Sequence, residues 1–174
     1  MTFDPTPLSG SYIVTPMPRI DNRGWFMRSF CKQEFMKIGH TKEWVQMNHS
    51  YTSKKGTIRG MHFQLPPYQE TKLVRCITGS MYDVIIDLRE SSPTYLQWYG
   101  IELSAQNRLM IYIPEGFAHG FQTLTDDVEF LYHHTQFYQP GYESGILYNE
   151  SKIKIQWPLP VAEISERDLN HLPL

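Results

Sequence analysis

The 174 residues of the chain suffice for one domain with a sizeable core, so we expect a single domain over residues 1–174. The content of 41% hydrophobic and 20% charged residues is that of an ordinary soluble globular protein. A net charge of −2 gives no overall basic signal, so we expect neither nucleic acid nor a membrane as a partner.

The cysteines and the N-terminus indicate the compartment. Cys31 and Cys76 lie far apart in the sequence, which favours two free thiols in a reducing environment over a disulfide. The N-terminus has no basic region followed by an apolar stretch, so no signal peptide is expected. No apolar run is long enough to span a bilayer. We therefore expect a cytoplasmic protein.

The first forty residues predict two strands and one helix. Residues 11–16 alternate between apolar and polar and end at a proline, and residues 24–30 follow an Asp-Asn-Arg-Gly turn signal. Residues 32–38 carry apolar side chains at helical spacing, and Gly39 terminates the pattern. This segment is the one convincing short helix in the strand-rich part of the chain.

Strand patterns recur along the remainder of the chain, with glycine and proline between them. They cover residues 57–64, 72–78, 80–88, 97–103, 108–113, 120–124, 128–135 and 152–157. A small C-terminal helix is expected to begin after Ser165 as its N-cap. Many short strands at regular spacing predict an antiparallel β-sandwich or jelly roll.

A histidine among cations is the most informative feature of the sequence. His62 lies within a predicted strand, Arg59 precedes it by three residues, and Lys72 and Arg75 follow on the next strand. An imidazole can act as a base near neutral pH, and the cations can hold phosphates or stabilise an oxyanion. The grouping suits an anionic ligand from which a proton is removed. On these residues alone, His62 could equally be a satisfied core histidine.

Further motifs stand in order along the chain. They occupy residues 21–26, 45–50, 58–67, 116–121, 129–132, 155–158 and 164–168. With these motifs, the chain resembles the dTDP-4-dehydrorhamnose 3,5-epimerase family from about residue 10 to about residue 170. The resemblance implies an all-β, cupin-type antiparallel jelly roll with a few short helices and a site inside the barrel. It also implies a homodimer in which an N-terminal strand joins the neighbour's sheet.

The resemblance implies a reaction and a set of catalytic residues. The reaction is epimerisation at C3 and C5 of a nucleoside-diphospho-4-keto-6-deoxyhexose, by proton abstraction α to the C4 ketone. No cofactor is expected, because the ketone is itself the electron sink. His62 would be the base, Asp168 its orienter, Tyr132 the acid and Lys72 the partner of the enolate oxygen. Without the resemblance, Asp168 is a first-turn helix acid, Tyr132 a barrel-filling aromatic and Lys72 a solvated lysine.

The resemblance also implies contacts with a nucleotide-sugar substrate. His119 and Arg59 would contact the diphosphate and the sugar, and Arg23 would reach a phosphate across the dimer. The expected contacts near the nucleotide are the polar Gln46 and Asn48 and the aromatic Phe26 and Tyr138, of which Tyr138 would stack on the base. Each of these residues could instead have a purely structural role.

A metal is not expected. Metal-binding cupins offer a His-x-His pair, but Gln64 stands two residues after His62. His133 and His134 are adjacent and would point to opposite faces of a strand. His40 and His49 are isolated in the sequence.

Arg28 departs from the pattern of the family, which usually carries a glutamate at that position near the nucleotide base. The reversed charge leaves the identity of the nucleotide open. A single-centre epimerase, an epimerase for another nucleotide sugar and a non-catalytic sugar-binding cupin therefore remain as alternatives.

Overall fold

The computed structural model describes residues 1–174 as strands with only two short α-helices. The strands are β1 Thr2–Pro5, β2 Tyr12–Thr15, β3 Arg19–Asp21, β4 Gly24–Phe26, β5 Gln46–Thr52, β6 Ile58–Gln64, β7 Lys72–Thr78, β8 Ser80–Asp87, β9 Trp98–Ser104, β10 Met110–Ile113, β11 Phe117–Thr123, β12 Val128–His134 and β13 Glu143–Gly145. The helices are α1 Lys32–Phe35, followed by a 3₁₀ turn over Met36–Ile38, and α2 Glu166–Leu169.

Two antiparallel sheets form the body of the protein. A six-stranded sheet has the order β1-β2-β10-β7-β12-β5, and a five-stranded sheet has the order β13-β6-β11-β8-β9. The hairpin β3–β4 pairs with neither of them. The non-sequential strand order is that of a jelly roll, so the predicted all-β fold class is confirmed.

The core lies between the two large sheets, because each contributes one face of alternating apolar side chains. Val74 and Phe130 come from the six-stranded sheet, and Ile85, Phe117 and Phe121 come from the five-stranded sheet. Each of these side chains is nearly or completely buried. Burial of one such side chain contributes about 1.5–3 kcal/mol to folding.

Both predicted helices are present. The first continues through its 3₁₀ turn to Gly39, whose φ of 80° closes the element in the left-handed region. In the second, the Ser165 side chain accepts a hydrogen bond from the backbone N–H of Asp168, as an N-cap does. Both α-helices have four residues, and neither could traverse a lipid bilayer.

One predicted strand is too long and another is absent. The strand expected at 24–30 ends at Phe26, and Phe30 packs instead against Phe35 of α1. Residues 152–157 form no strand, because the carbonyl of Glu150 accepts the N–H groups of residues 153 and 154 and closes a turn. The apolar residues of that segment are buried without a strand partner. Strands β1, β3, β5 and β13 were not predicted.

Candidate active site

Two adjoining cavities open between the large sheets. Their volumes are about 450 and 400 Å³. His62, Lys72, Tyr132 and Arg167 line both of them. The fold therefore brings all four predicted catalytic residues to the first cavity, since Asp168 on α2 lines it beside His62, Lys72 and Tyr132.

A β-bulge in β6 brings Arg59 and His62 into the same cavity. His62 pairs with His119 and Arg59 pairs with Phe121, so β6 has one residue more than β11 over this stretch. In a regular strand, residues three apart face opposite sides of the sheet. The extra residue of the bulge lets Arg59 and His62 face the same side. The bulge needs glycine at position 60, because φ is 134° there and a Cβ would lie 2.5 Å from the Cα of Gly120.

His62 and Asp168 form a dyad between β6 and α2. His62 Nε2 lies 2.7 Å from Asp168 Oδ1, and the N–H of Gly60 donates to Oδ2 at 3.1 Å. Burial acts to raise the pKa of Asp168, but the hydrogen bond and charge of His62 outweigh it and hold the pKa below its usual value. An ionised carboxylate can only accept, so Nε2 carries the proton. In the neutral imidazole, the other ring nitrogen, Nδ1, therefore has a free lone pair and can act as a base.

Tyr132 lies on β12, in the sheet opposite His62. Its ring stacks on Phe130, with the two centroids 5.1 Å apart. Burial raises the pKa of the Tyr132 phenol, which keeps the hydroxyl protonated at neutral pH. The cavity thus has a candidate base on one wall and a candidate proton donor on the other.

Lys72 begins a chain of polar contacts along one wall of the site. Its Nζ lies 3.2 Å from Glu70 Oε1, and Glu70 Oε2 accepts from His134 Nδ1 at 2.7 Å. Asn48 Nδ2 donates to His134 Nε2 at 3.2 Å, and Gln46 Nε2 donates to Asn48 Oδ1 at 3.2 Å. Lys72 is buried as an ion pair, so it is not the solvated lysine that a strand start would usually carry.

The remaining cavity residues are also held in place. Gln46 Oε1 accepts the backbone N–H of Tyr138 at 3.1 Å, which fixes the loop after β12. Arg59 Nη1 donates to Ser50 Oγ at 2.9 Å. His119 Nε2 lies 2.8 Å from Asp83 Oδ2, and complete burial raises the pKa of Asp83 despite the opposing charge of the histidine.

Arg23 and Phe26 lie outside both cavities of this chain. They belong to the hairpin β3–β4, where Arg23 pairs with Asp21 at 2.6 Å and its side chain is 90% exposed. Phe26 is 72% exposed. Arg28, just beyond the hairpin, pairs with Glu34 at 2.9 Å and lines neither cavity.

Four residues at the site were not predicted from the sequence. Glu70 and Asp83 are the carboxylates behind Lys72 and His119. Arg167 lines both cavities and pairs with Glu143 at 3.1 Å. His171 Nε2 lies 3.6 Å from Asp168 Oδ1. Only Arg167 and His171 could have been found from the sequence, because they lie one residue before and three residues after the predicted Asp168.

The jelly roll, with its site between the two sheets, places the protein in the class of cupin-type folds. The site holds a carboxylate-bound imidazole, a buried phenol and a paired ammonium. The sequence profile of dTDP-4-dehydrorhamnose 3,5-epimerase matches residues 5–174. The chain belongs to that family.

Relatives of known sequence and structure agree with this assignment. The dTDP-4-dehydrorhamnose 3,5-epimerase of Shigella flexneri is 48% identical over 151 residues, which are 86% of this chain and 83% of the relative. The Bacillus anthracis enzyme of the same name, solved with TDP and PPi bound, superimposes with a TM-score of 0.96 at 38% identity over 99% of both chains. A Legionella pneumophila 3,5-epimerase in complex with dTDP-4-keto-L-rhamnose gives a TM-score of 0.92 at 36% identity, over 98% of this chain and 90% of that one.

Proposed function

We propose that this protein converts dTDP-4-dehydro-6-deoxy-D-glucose to dTDP-4-dehydro-L-rhamnose by inverting C3 and C5. One observation carries the proposal. His62, held by Asp168, and the protonated Tyr132 face one cavity from opposite sheets. Inversion of a carbon requires removal of a proton from one face and delivery to the other, and this arrangement provides for both.

The ketone at C4 makes the hydrogens at C3 and C5 weakly acidic. His62 Nδ1 removes such a proton, and Asp168 stabilises the imidazolium that forms. The electron pair moves towards the C4 oxygen, where the Lys72 ammonium stabilises the enolate, a contribution of about 3 kcal/mol by analogy with oxyanion donors. Tyr132 then gives its proton to the opposite face of the same carbon. The reaction needs neither a metal nor a redox cofactor, since the ketone accepts the electrons.

Substrate binding is proposed for the polar and aromatic residues around the base. Arg59 and His119 are the contacts for the sugar and diphosphate, and Lys72 and Arg167 add positive charge to the same cavity. Gln46 and Asn48 line the adjoining cavity together with Tyr138, whose ring is half exposed and free to stack on a base. This placement supports a nucleotide sugar that lies across both cavities.

We also propose a homodimer in which the hairpin β3–β4 serves the neighbour's site. The hairpin pairs with neither large sheet of its own chain, and it exposes Ile20, Trp25 and Phe26. A two-stranded hairpin with exposed apolar side chains is marginal on its own, and packing on a second copy would cover it. Arg23 and Phe26 would then reach the partner's cavity, which agrees with their distance from the cavity of their own chain.

The experiment that tests the proposal is substitution of the base. His62→Ala should lower turnover of dTDP-4-dehydro-6-deoxy-D-glucose by about 10²–10⁴-fold, the usual contribution of a general base. Asp168→Asn should also slow the reaction, because the amide would orient the imidazole poorly. His49→Ala removes an exposed histidine on β5 and serves as the control. Near-normal turnover by a folded His62→Ala protein would remove His62 from the mechanism.

Arg28 favours a second candidate, the same chemistry on another nucleotide. The family usually has a glutamate at this position near the nucleotide base, so an arginine there reverses the charge. The proposed proton-transfer residues His62 and Tyr132 are unaffected by this difference. Comparison of kcat/KM for dTDP-linked and UDP-linked 4-keto-6-deoxyhexoses separates the two candidates. A preference for dTDP supports the main proposal, and a preference for UDP supports the second.

A further inference from the structure

His171 has an unusual place beside the dyad. Its Nε2 is buried, has no hydrogen-bond partner and lies 3.6 Å from Asp168 Oδ1. The ring packs where a side chain at position 145 would be, since a Cβ on Gly145 would lie 2.2 Å from His171 Nε2. Gly145 is also the pairing partner of His62 across β13 and β6. The fold therefore leaves room for a second imidazole beside the dyad, and no group donates or accepts a hydrogen bond at its Nε2.

We propose that His62, Asp168 and His171 form a binding site for a divalent transition metal such as Zn²⁺, and that the bound ion switches off the base. Each residue offers one ligand atom, and the three atoms lie within 4.8 Å of one another. Zinc bonds to imidazole and carboxylate are about 2.0–2.2 Å long, which places neighbouring ligand atoms roughly 3.4 Å apart. Modest side-chain rotations would bring the three atoms onto one ion.

The ligand set selects the kind of metal. Two imidazoles and one carboxylate suit Zn²⁺, Cu²⁺, Ni²⁺ or Co²⁺, whereas Mg²⁺ and Ca²⁺ prefer oxygen ligands. Three protein ligands leave a position for water, as in open zinc sites. Of the three side chains, His62 is the most exposed, at 37%, and it lines both cavities.

The bound ion would act through the tautomer of His62. In the metal-free protein Asp168 accepts the Nε2 proton and Nδ1 is free to act as the base. When the metal takes the Nε2 lone pair, the neutral imidazole keeps its one proton on Nδ1 instead. No ring nitrogen can then accept a proton from the substrate. This inhibitory half rests on the proposed epimerase function, whereas metal binding itself does not.

Calorimetric titration of EDTA-dialysed protein with ZnCl₂, without substrate, tests the site directly. We expect one Zn²⁺ per chain in the unmodified protein and at least about tenfold weaker binding by His171→Ala, or by His171→Asn if the alanine variant is unstable. His49→Ala, with another histidine removed, should bind as the unmodified protein does. Unchanged affinity in both His171 variants, or no binding by the unmodified protein, would overturn the proposal.

Turnover tests the switch separately. Zn²⁺ should inhibit the unmodified protein reversibly, with recovery on addition of EDTA. His171→Ala should need at least about tenfold more Zn²⁺ for half-inhibition, measured against its own zinc-free rate. Equal inhibition of both proteins would refute the switch. Zinc binding that depends on His171 in a protein without epimerase activity would support the site and refute the proposed function.

Discussion

His62 acquires its proposed role from residues far away in the sequence. The carboxylate that orients it lies 106 residues further on, and the N–H of Gly60 fixes that carboxylate in turn. The contact with Asp168 orients the imidazole, and the contact with Gly60 holds the carboxylate in place. His119 and His134 have the same kind of contact with a carboxylate. The proposal for His62 therefore rests also on its place opposite Tyr132 in the cavity.

Tyr132→Phe separates the two proton-transfer faces. The change removes one hydroxyl and should hardly disturb the stack on Phe130. If His62 removes the proton and Tyr132 delivers one, the variant should still exchange the α-hydrogens with D₂O but invert the carbon poorly. NMR measures both quantities on the same sample. Inversion at the wild-type rate would show that another group or water supplies the second proton, and Tyr132 would return to a barrel-filling role.

The sequence predicted these residues unevenly. His62, Arg59 and Lys72 fall within 14 residues, so their chemistry could be read as a local cluster. Asp168 and Tyr132 were chosen only through the resemblance to a family. Glu70 and Asp83 were missed, because nothing in the sequence tells which buried cation or imidazole a carboxylate will meet. That information depends on the register of the strands.

At the scale of elements, the strands that were predicted correctly have a clear apolar pattern in the sequence. Either apolar and polar residues alternate, or a run of apolar residues is buried on both faces. Strand β7 was predicted at its observed bounds, Lys72–Thr78. Strand β5 was missed because it lies at the edge of its sheet and is mostly polar, so it lacks the apolar alternation. Short strands of three or four residues, such as β3 and β13, are too short for a periodic signal.

The end of β8 is stabilised by a buried carboxylate. Asp87 is completely buried and accepts from Arg89 Nε at 2.8 Å, Arg89 Nη2 at 2.7 Å and Thr94 Oγ1 at 2.7 Å. Burial acts to raise its pKa, but these hydrogen bonds outweigh it and lower the pKa from 3.8 to about 2. Because the folded-state pKa is below the unfolded one, the stabilisation is present above pH 3.8 and is lost as the pH falls through about 2.

Asp87→Asn should therefore lower the free energy of unfolding at neutral pH by about 2 kcal/mol. The variant should also lose less stability than the unmodified protein between pH 5 and pH 2. Denaturant titrations at a series of pH values measure both effects. Asp4→Asn, on the exposed strand β1, is the matched control. Equal losses in the two variants would show that the Asp87 network contributes nothing specific.

At the scale of the whole molecule, the dimer proposal predicts complementation between two inactive variants. His62→Ala lacks the base, and Arg23→Ala lacks the arginine that would serve the partner's cavity. In a mixed dimer, one of the two sites then has both His62 and Arg23. A fully exchanged 1:1 mixture should therefore recover about a quarter of wild-type activity.

The control for complementation is a mixture of His62→Ala with Tyr132→Phe. Both of those residues line the cavity of their own chain, so no mixed dimer contains an intact site. If Arg23 acts within its own chain, or if the protein is a monomer, the mixture of His62→Ala and Arg23→Ala will recover no activity either.

Deuterium incorporation is the most direct test of the central claim, that this cavity inverts both carbons flanking the ketone. The EDTA-dialysed protein is incubated in D₂O with dTDP-4-dehydro-6-deoxy-D-glucose, and NMR locates the label and the configuration at each carbon. We predict deuterium at both C3 and C5, with inversion at both and none in the His62→Ala control. Label at one carbon alone would indicate a single-centre epimerase, and label at neither carbon would contradict the proposed catalysis.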